Sequence, residues 1–319
     1  MPRRATPTML ITALLLAVLA GCSTDAPARR APAAPEPTAA ATPQVPAGHA
    51  PVNPYPVGVR DLKLNRDGRA LPVKIWYPAA GEIGGPVRWG AAAAKGRRFP
   101  VVMFSHGLGG RPDDYATLLS RWARAGFVVA APTFPHTAKG TDIDVLDVLN
   151  QPADVSYALD QVLALDAKAD DQLQGQLDTE RVAAAGHSAG GVTTIGLFTA
   201  NRDERLDAGV VFAGTALGVG TAFAGAAAPQ LFVHGELDKV VEYAAGKAAY
   251  DKVPWPKAML SLPKGDHGQT MLKDKAALRV VSDTSIEFLR WSLYGDAAAK
   301  QRISTGATRG DIATFDDHL

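Results

Sequence analysis

The sequence predicts an α/β domain built on a mostly parallel sheet. Short continuous runs of strand-type residues, of the kind buried on both faces of a sheet, alternate with stretches of helical apolar spacing. The alternation begins near Val57 and persists to about residue 296, with turn residues between the runs. A chain of 319 residues, 47% hydrophobic, is long and apolar enough to bury one large core or two small ones, which excludes disorder along its whole length.

Leu71–Tyr77 alternates and then stops at Pro78, a pattern that suits an edge strand. Pro100–Phe104 and Phe127–Ala130 are continuous apolar runs and predict buried strands. Between them Tyr115, Leu118, Leu119 and Trp122 recur at helical spacing, and Gly126 supplies the stop. Val155, Leu159, Val162 and Leu163 form a second helical stripe. Val182–Ala185, Val210–Phe212, Leu231–His234 and Ala258–Leu262 are further strands, and Leu278, Val281, Phe288 and Leu289 mark a last helix. No internal repeat is visible. Residues 297–319 are polar and weakly patterned, and predict a loosely held tail.

Lys and Arg total 33 against 32 Asp and Glu, for a net charge of +1, which leaves no electrostatic footprint for nucleic acid. A single cysteine can form neither an intrachain disulfide nor a Cys-rich zinc site. That cysteine closes an N-terminal pattern: Arg3 and Arg4, an apolar stretch from Met9 to Leu19, then Leu19-Ala-Gly-Cys22. The apolar stretch falls short of the roughly 20 residues a membrane span needs, and reads instead as an export signal over 1–21. Its end resembles the bacterial lipobox, which implies that Cys22 is lipidated and becomes the mature N-terminus. The expectation is an exported lipoprotein anchored to the cell envelope, in an outer membrane or on the outer face of the cytoplasmic one. Residues 22–56 are rich in Pro, Ala and Thr and read as an extended tether, able to span roughly 100 Å. The domain is then expected over 57–296.

Chemistry enters at Val182–Gly191, where a buried-strand pattern runs into the helical-looking Val192–Ala200. Inside it lies Gly186-His-Ser-Ala-Gly190, the G-x-S-x-G pattern. A serine on so sharp a strand-to-helix turn is crowded by the residues two before and two after it, so only very small ones fit. The turn lifts the hydroxyl above the sheet and aims the free N–H groups of the new helix at developing negative charge. A serine hydroxyl needs a base, and the base needs a carboxylate to orient it. Downstream of Ser188 stand three histidines, His234, His267 and His318. His318 lies in the polar tail, and His234 ends an apolar run, where a structural role at the strand end suffices. His267 sits in Pro263-Lys-Gly-Asp-His-Gly268, a loop directly after the Ala258–Leu262 strand, and is the expected base. For the acid, Asp238 lies a short turn beyond the Leu231–His234 strand, with Glu236 and Asp266 as rivals; Asp266 adjoins His267 in sequence and would struggle to reach its ring. The oxyanion is expected to meet the backbone N–H groups of Leu108, in the glycine-rich loop Phe104-Ser-His-Gly-Leu-Gly-Gly110, and of Ala189. Ser105 and His106 are read as positioning that loop.

Together, Phe104–Gly110, Gly126-Phe-Val-Val-Ala-Ala-Pro132, Pro152–Tyr157, Gly186–Gly191, His234-Gly-Glu-Leu-Asp238 and the strand Leu71–Pro78 resemble the alpha/beta-hydrolases related to dienelactone hydrolase. Within that group they look closest to bacterial homologues of platelet-activating-factor acetylhydrolase. The Ser188, Asp238, His267 spacing is similar to that of cutinase-like polyester hydrolases. The resemblance implies an alpha/beta-hydrolase fold with helices on both faces of the sheet and a triad in the order Ser, acid, His. Ser188 departs from dienelactone hydrolases proper, whose nucleophile is cysteine. In acetylhydrolase relatives the acid can sit on an earlier strand, which makes Asp207 the alternative to Asp238. Between Phe212 and Gln230 there is room for only a small excursion, so no large lid is expected, while Thr133–Leu149, with Phe134 and His136, could wall one side of the site.

The expected activity is serine-dependent hydrolysis of carboxylic esters through an acyl-enzyme, on short-chain or accessible esters, without metal or organic cofactor. The alternatives are an acyl peptidase or a polyester hydrolase using the same machinery, and a binding lipoprotein that keeps the fold without turnover.

Overall fold

The computed structural model describes residues 47–319. The expected signal over 1–21, Cys22 and the tether as far as residue 46 lie outside the described residues.

The alternating runs assemble into one ten-stranded sheet in the order β10-β9-β8-β7-β6-β4-β5-β2-β1-β3. Its centre is parallel: β5 (Val128–Pro132), β4 (Phe99–Ser105), β6 (Leu177–His187), β7 (Leu206–Phe212), β8 (Gln230–Gly235) and β9 (Lys257–Leu262). At one side β1 (Val57–Arg66) and β2 (Arg69–Pro78) form an antiparallel hairpin. β2 joins β5, and the two-residue β3 (Arg88–Trp89) flanks β1. The turn between β1 and β2 has Asp67 and Gly68 at positive φ, a dipeptide suited to a two-residue hairpin loop.

Strand residues alternate between two cores because successive side chains leave opposite faces. Val102, Phe104, Ala183, Ala185, Val210 and Phe212 pack with Trp122, Phe288 and Leu289. These come from α1 (Ala116–Arg124) and α6 (Lys275–Tyr294). Val101, Met103, Val182, Ala184, Val211 and Phe232 face the other way, onto Val155, Leu159, Ile195 and Tyr250. Those belong to α2 (Gln151–Leu163), α3 (Ala189–Gly196) and α4 (Tyr243–Lys252). Each such large apolar side chain stabilises the fold by about 1.5–3 kcal/mol when fully buried. A short α5 (Gln269–Lys273) precedes α6, which ends at Gly295 in the left-handed conformation.

Three expectations give way here. β2 is interior, not an edge, since β1 and β5 flank it. Its prolines are tolerated because Pro72 and Pro78 both lie outside the Val73–Trp76 stretch paired to β5. Residues 297–319 are not a loose tail: α7 (Ala297–Ala307) buries Ala299, Ile303 and Ala307, and β10 (Thr314–His318) pairs antiparallel with β9. The body also starts before Val57. Tyr55 N–H donates to the Arg124 carbonyl at 2.8 Å, the Arg290 guanidinium donates to the Pro51 carbonyl at 3.1 Å, and Ala50 is buried.

Candidate active site

The C-terminal ends of the parallel strands gather the loops that carry the chemistry. β6 ends at His187, and Ser188 follows with φ 59° and ψ −118°, a conformation outside the regions open to most residues. Two glycines make that turn possible. A Cβ on Gly186 would lie 2.1 Å from the Gly190 carbonyl oxygen, and one on Gly190 would lie 2.0 Å from that of Ser105. The Ser188 N–H donates to the Phe212 carbonyl at 2.9 Å, so β7 holds the turn from its other side.

His267 leaves the loop after β9 and reaches Ser188: its Nε2 lies 2.7 Å from Ser188 Oγ. Its Nδ1 lies 2.7 Å from Asp238 Oδ2, on the loop after β8. The carboxylate can only accept, so the proton is on Nδ1 and the Nε2 lone pair faces the serine hydroxyl. Asp238 is buried, and its Oδ1 takes the N–H groups of Val240 and Val241 at 2.8 and 2.9 Å. The carboxylate is thus fixed by its own loop as well as by the His267 ring. Glycines again allow the approach, for a Cβ on Gly235 would lie 2.4 Å from the Gly265 carbonyl oxygen.

The rival carboxylates point elsewhere. Glu236 is exposed. Asp266 Oδ1 accepts N–H groups from Gly268 and Thr270 at 3.3 and 2.8 Å, which ties down its own loop. Asp207 lies near the N-terminal end of β7, with Oδ2 on the Val182 N–H at 2.9 Å. The other two downstream histidines also stay out of reach of Ser188. His234 donates from Nε2 to the Val241 carbonyl at 2.9 Å, and burial lowers its pKa. His318 is on β10, 2.9 Å from Asp316.

The glycine-rich loop after β4 lies against Ser188: a Cβ on Gly107 would stand 3.2 Å from Ser188 Cβ. Among the described residues, nothing accepts from the N–H groups of Leu108 and Ala189. His106 sits behind the loop. It donates from Nδ1 to the Gly107 carbonyl at 2.8 Å and accepts the Phe134 N–H at Nε2 at 3.1 Å, with burial lowering its pKa. Phe134 is itself fully buried against the His106 ring, so it anchors the Thr133–Leu149 loop rather than lining an open cleft. Gln151 joins that loop to α3, donating to Thr137 Oγ1 at 2.7 Å and accepting from Thr193 Oγ1 at 2.6 Å. Between β7 and β8 there is no helix. A cavity of about 610 Å³ opens beside the site, with His267, Tyr115, His187, Leu237, Val240 and Leu272 in its wall. Among the described residues no group of three or more His, Cys, Asp or Glu side chains is arranged to hold a metal ion.

A family model described as "PETase: PET hydrolase-like" matches residues 79–310. The chain belongs to this PET hydrolase-like family. It is 24% identical over 276 residues to cutinase est1 of Thermobifida alba, covering 83% of this chain and 86% of that protein. It is 27% identical over 176 residues to a platelet-activating factor acetylhydrolase of Cavia porcellus, covering 43% of this chain and 39% of that one. A Bos taurus acetylhydrolase is 26% identical over 171 residues. The chain spans about two fifths of the length of these two acetylhydrolases. The matches agree with the observed alpha/beta-hydrolase fold.

Two residues of the neighbourhood escaped the sequence. Tyr115 reads there as the first apolar member of a helical stripe, and His187 as the free position of G-x-S-x-G. In the structure their side chains meet at 3.0 Å behind Ser188. No spacing rule joins positions 115 and 187. The only available signal was a polar, titratable residue at a place the strand pattern buries.

Proposed function

We propose that this protein is an exported serine carboxylic-ester hydrolase working through an acyl-enzyme. The observation that carries the reading is the pair of contacts at 2.7 Å from Ser188 Oγ to His267 Nε2 and from His267 Nδ1 to Asp238. Ser188 Oγ attacks the ester carbonyl carbon as its proton passes to His267 Nε2, and Asp238 stabilises the resulting imidazolium. Charge on the former carbonyl oxygen is met by the Leu108 and Ala189 N–H groups; each such donor contributes about 3 kcal/mol to transition-state stabilisation. Collapse of the intermediate breaks the bond to the alkoxy oxygen, which leaves with the proton from Nε2. Water then repeats the sequence on the acyl-enzyme, giving up a proton to His267 and releasing the acid and free Ser188. The cavity beside His267 lies on the side of the base, where it would receive the alcohol portion.

One observation favours a polymeric over a small ester. Leu108, Leu237 and Val240 are all exposed; Leu237 and Val240 wall the cavity beside His267, and Leu108 follows Gly107, which packs against Ser188. They put exposed apolar surface beside the triad, which suits an extended apolar chain laid across the site. The relatives named cutinase and PET hydrolase-like lend this reading support.

The test is hydrolysis of p-nitrophenyl esters from acetate to palmitate, alongside release of monomers from an aliphatic polyester film. Ser188→Ala should remove both activities, by about 10⁴-fold or more. Undiminished turnover in that variant overturns the mechanism, and ester hydrolysis without polymer release restricts the substrate to small esters. The Leu19–Cys22 pattern supports export and lipidation at Cys22. Metabolic incorporation of a labelled fatty acid that vanishes in Cys22→Ser is the expected result, and equal labelling of both proteins would refute it.

A further inference from the structure

The triad leaves His187 without a role, although it adjoins the nucleophile and is only 7% exposed. Its Nε2 lies 2.6 Å from the carbonyl oxygen of His267, and its Nδ1 lies 3.0 Å from the Tyr115 hydroxyl. A carbonyl oxygen can only accept, so Nε2 carries the ring's proton and Nδ1 accepts from Tyr115. The Tyr115 oxygen in turn accepts the Gly107 N–H at 3.0 Å. The run Gly107 N–H, Tyr115 O–H, His187 ring, His267 C=O therefore has one direction throughout.

Both titratable members keep the protonation that this direction requires. Burial lowers the pKa of His187 to about 4, and burial raises that of Tyr115 to about 12. The ring also lies close against both loops, where only glycine leaves it room: a Cβ on Gly107 would lie 3.2 Å from its Nδ1 and one on Gly268 would lie 3.1 Å from its Nε2. Gly107 precedes Leu108, and Gly268 follows His267. One imidazole thus bridges the loop after β4, the loop after β9 and the strand end that carries Ser188.

We propose that His187 and Tyr115 are positioning residues for ester hydrolysis, setting the distances of the His267 ring and the Leu108 amide from Ser188 by bracing both loops against the end of β6. This rests on the serine-hydrolase reading above. Neither side chain touches a reacting atom in that scheme; they act through the backbones of His267 and Gly107. His187 also stands ring to ring with His267 at 5.0 Å, and as a neutral neighbour it adds no second positive charge when the base takes up its proton.

Substitutions that separate the two ends of the ring test this. Asn places its terminal atoms near the position of Nδ1 and can keep the Tyr115 contact, but it is too short to reach the His267 carbonyl. Gln reaches the position of Nε2 and keeps that donor, whereas Leu keeps neither. In full-length protein, His187→Asn and His187→Leu should lower kcat about 10–100-fold with KM within about twofold, as expected for small misplacements of reacting groups. His187→Gln should recover to within about fivefold of wild type. Tyr115→Phe, which removes one hydroxyl from an otherwise unchanged packing, should lie between and covers the case in which a His187 variant fails to fold. The rate of Ser188 labelling by a fluorophosphonate should fall in step with kcat. Folded Asn and Leu variants with wild-type kcat, or a Gln variant as slow as Leu, overturn the proposal. A rise in KM at unchanged kcat overturns it too, since the pair would then be cavity wall rather than brace. Ser188→Ala separates the two ideas: full activity in that variant refutes the serine mechanism, whatever the His187 series shows. If wild type takes no ester but Ser188 still labels, the labelling rates alone decide the proposal.

Discussion

Around Ser188 the chain is held by exclusion, with backbone atoms about 2 Å from where a methyl on Gly186 or Gly190 would stand and the serine itself at φ 59°. Around His267, glycine packing brings two loops together, but the direction of the ring comes from hydrogen bonds to Asp238, Ser188 and, through its own carbonyl, His187. The first kind of constraint is steep and local, because repulsion rises sharply within a few tenths of an ångström. It also sustains about 1–3 kcal/mol of backbone strain at the serine. The second kind is graded and non-local, assembled from bonds that each contribute about 1 kcal/mol to stability. The geometry at Ser188 should therefore fail all at once, and that at His267 by degrees.

The steric constraint is tightest at Gly190. Gly190→Ala drives a methyl into the Ser105 carbonyl, which belongs to backbone that cannot give way. Ester hydrolysis should fall by more than about 10³-fold, with about 3 kcal/mol or more of stability lost, read by turnover and urea unfolding. Near-normal activity in that variant would mean that the elbow is not sterically closed.

Asp238→Asn should cost less and spare the fold. The amide oxygen can keep the Val240 and Val241 N–H groups, but an Nδ2 donor facing His267 favours the tautomer protonated on Nε2, which cannot take the serine proton. We expect kcat to drop about 10³–10⁴-fold with an unfolding midpoint close to wild type. A drop below tenfold would remove Asp238 from the role of orienting acid.

The smallest effect on rate belongs to a charged cluster away from both regions. Arg69 is bidentate to Asp147 at 2.8 Å and also binds the buried Asp154 at 2.6 Å. Burial acts to raise the pKa of Asp147, but the hydrogen bonds from Arg69 and Asn150 outweigh it and hold the group below the usual carboxylate range. A group depressed in the folded state stabilises at pH above its unfolded value, near about 4, and that stabilisation is lost as pH falls through the folded pKa. Arg69→Met should therefore cost about 3 kcal/mol at pH 7, flatten the loss of stability on acidification below about pH 4, and leave kcat unchanged. A change in kcat would mean that remote packing also grades the site, and the contrast drawn at Ser188 and His267 would lose its edge.

Much of the fold was legible because its causes are local. Continuous apolar runs mark β4 through β9 within a residue or two at most ends, since strands buried on both faces have no polar side to display; β6 begins five residues earlier, at Leu177, and β7 four earlier, at Leu206. Misreadings fall where neighbours decide. Pro78 suggested an edge for β2, yet a proline disqualifies a strand only where its missing N–H is needed, and register alone says where that is. Thr314–His318 carries three charged or titratable residues in five and shows no strand pattern; it becomes β10 because β9 offers an open edge.

The same division runs through the site. Ser188 could be located from sequence alone, because a turn that tolerates only glycine two residues to either side writes its steric requirement directly into the chain. The order of serine, acid and histidine was legible too, since each follows a recognisable strand. Asp238 was favoured among the three carboxylates, because it lies a short turn beyond its strand and Asp266 adjoins His267, but the contact itself was not legible. Glu236, Asp238 and Asp266 have the same chemistry at similar distances along the chain, and only the closing of two loops at Gly235 and Gly265 turns Asp238 toward the ring while Asp266 is spent on its own backbone. Nor could the sequence join Tyr115 to His187, 72 positions apart. A hydrogen bond needs direction within tenths of an ångström, and that precision exists only after β4 and β6 have paired and set their loops side by side.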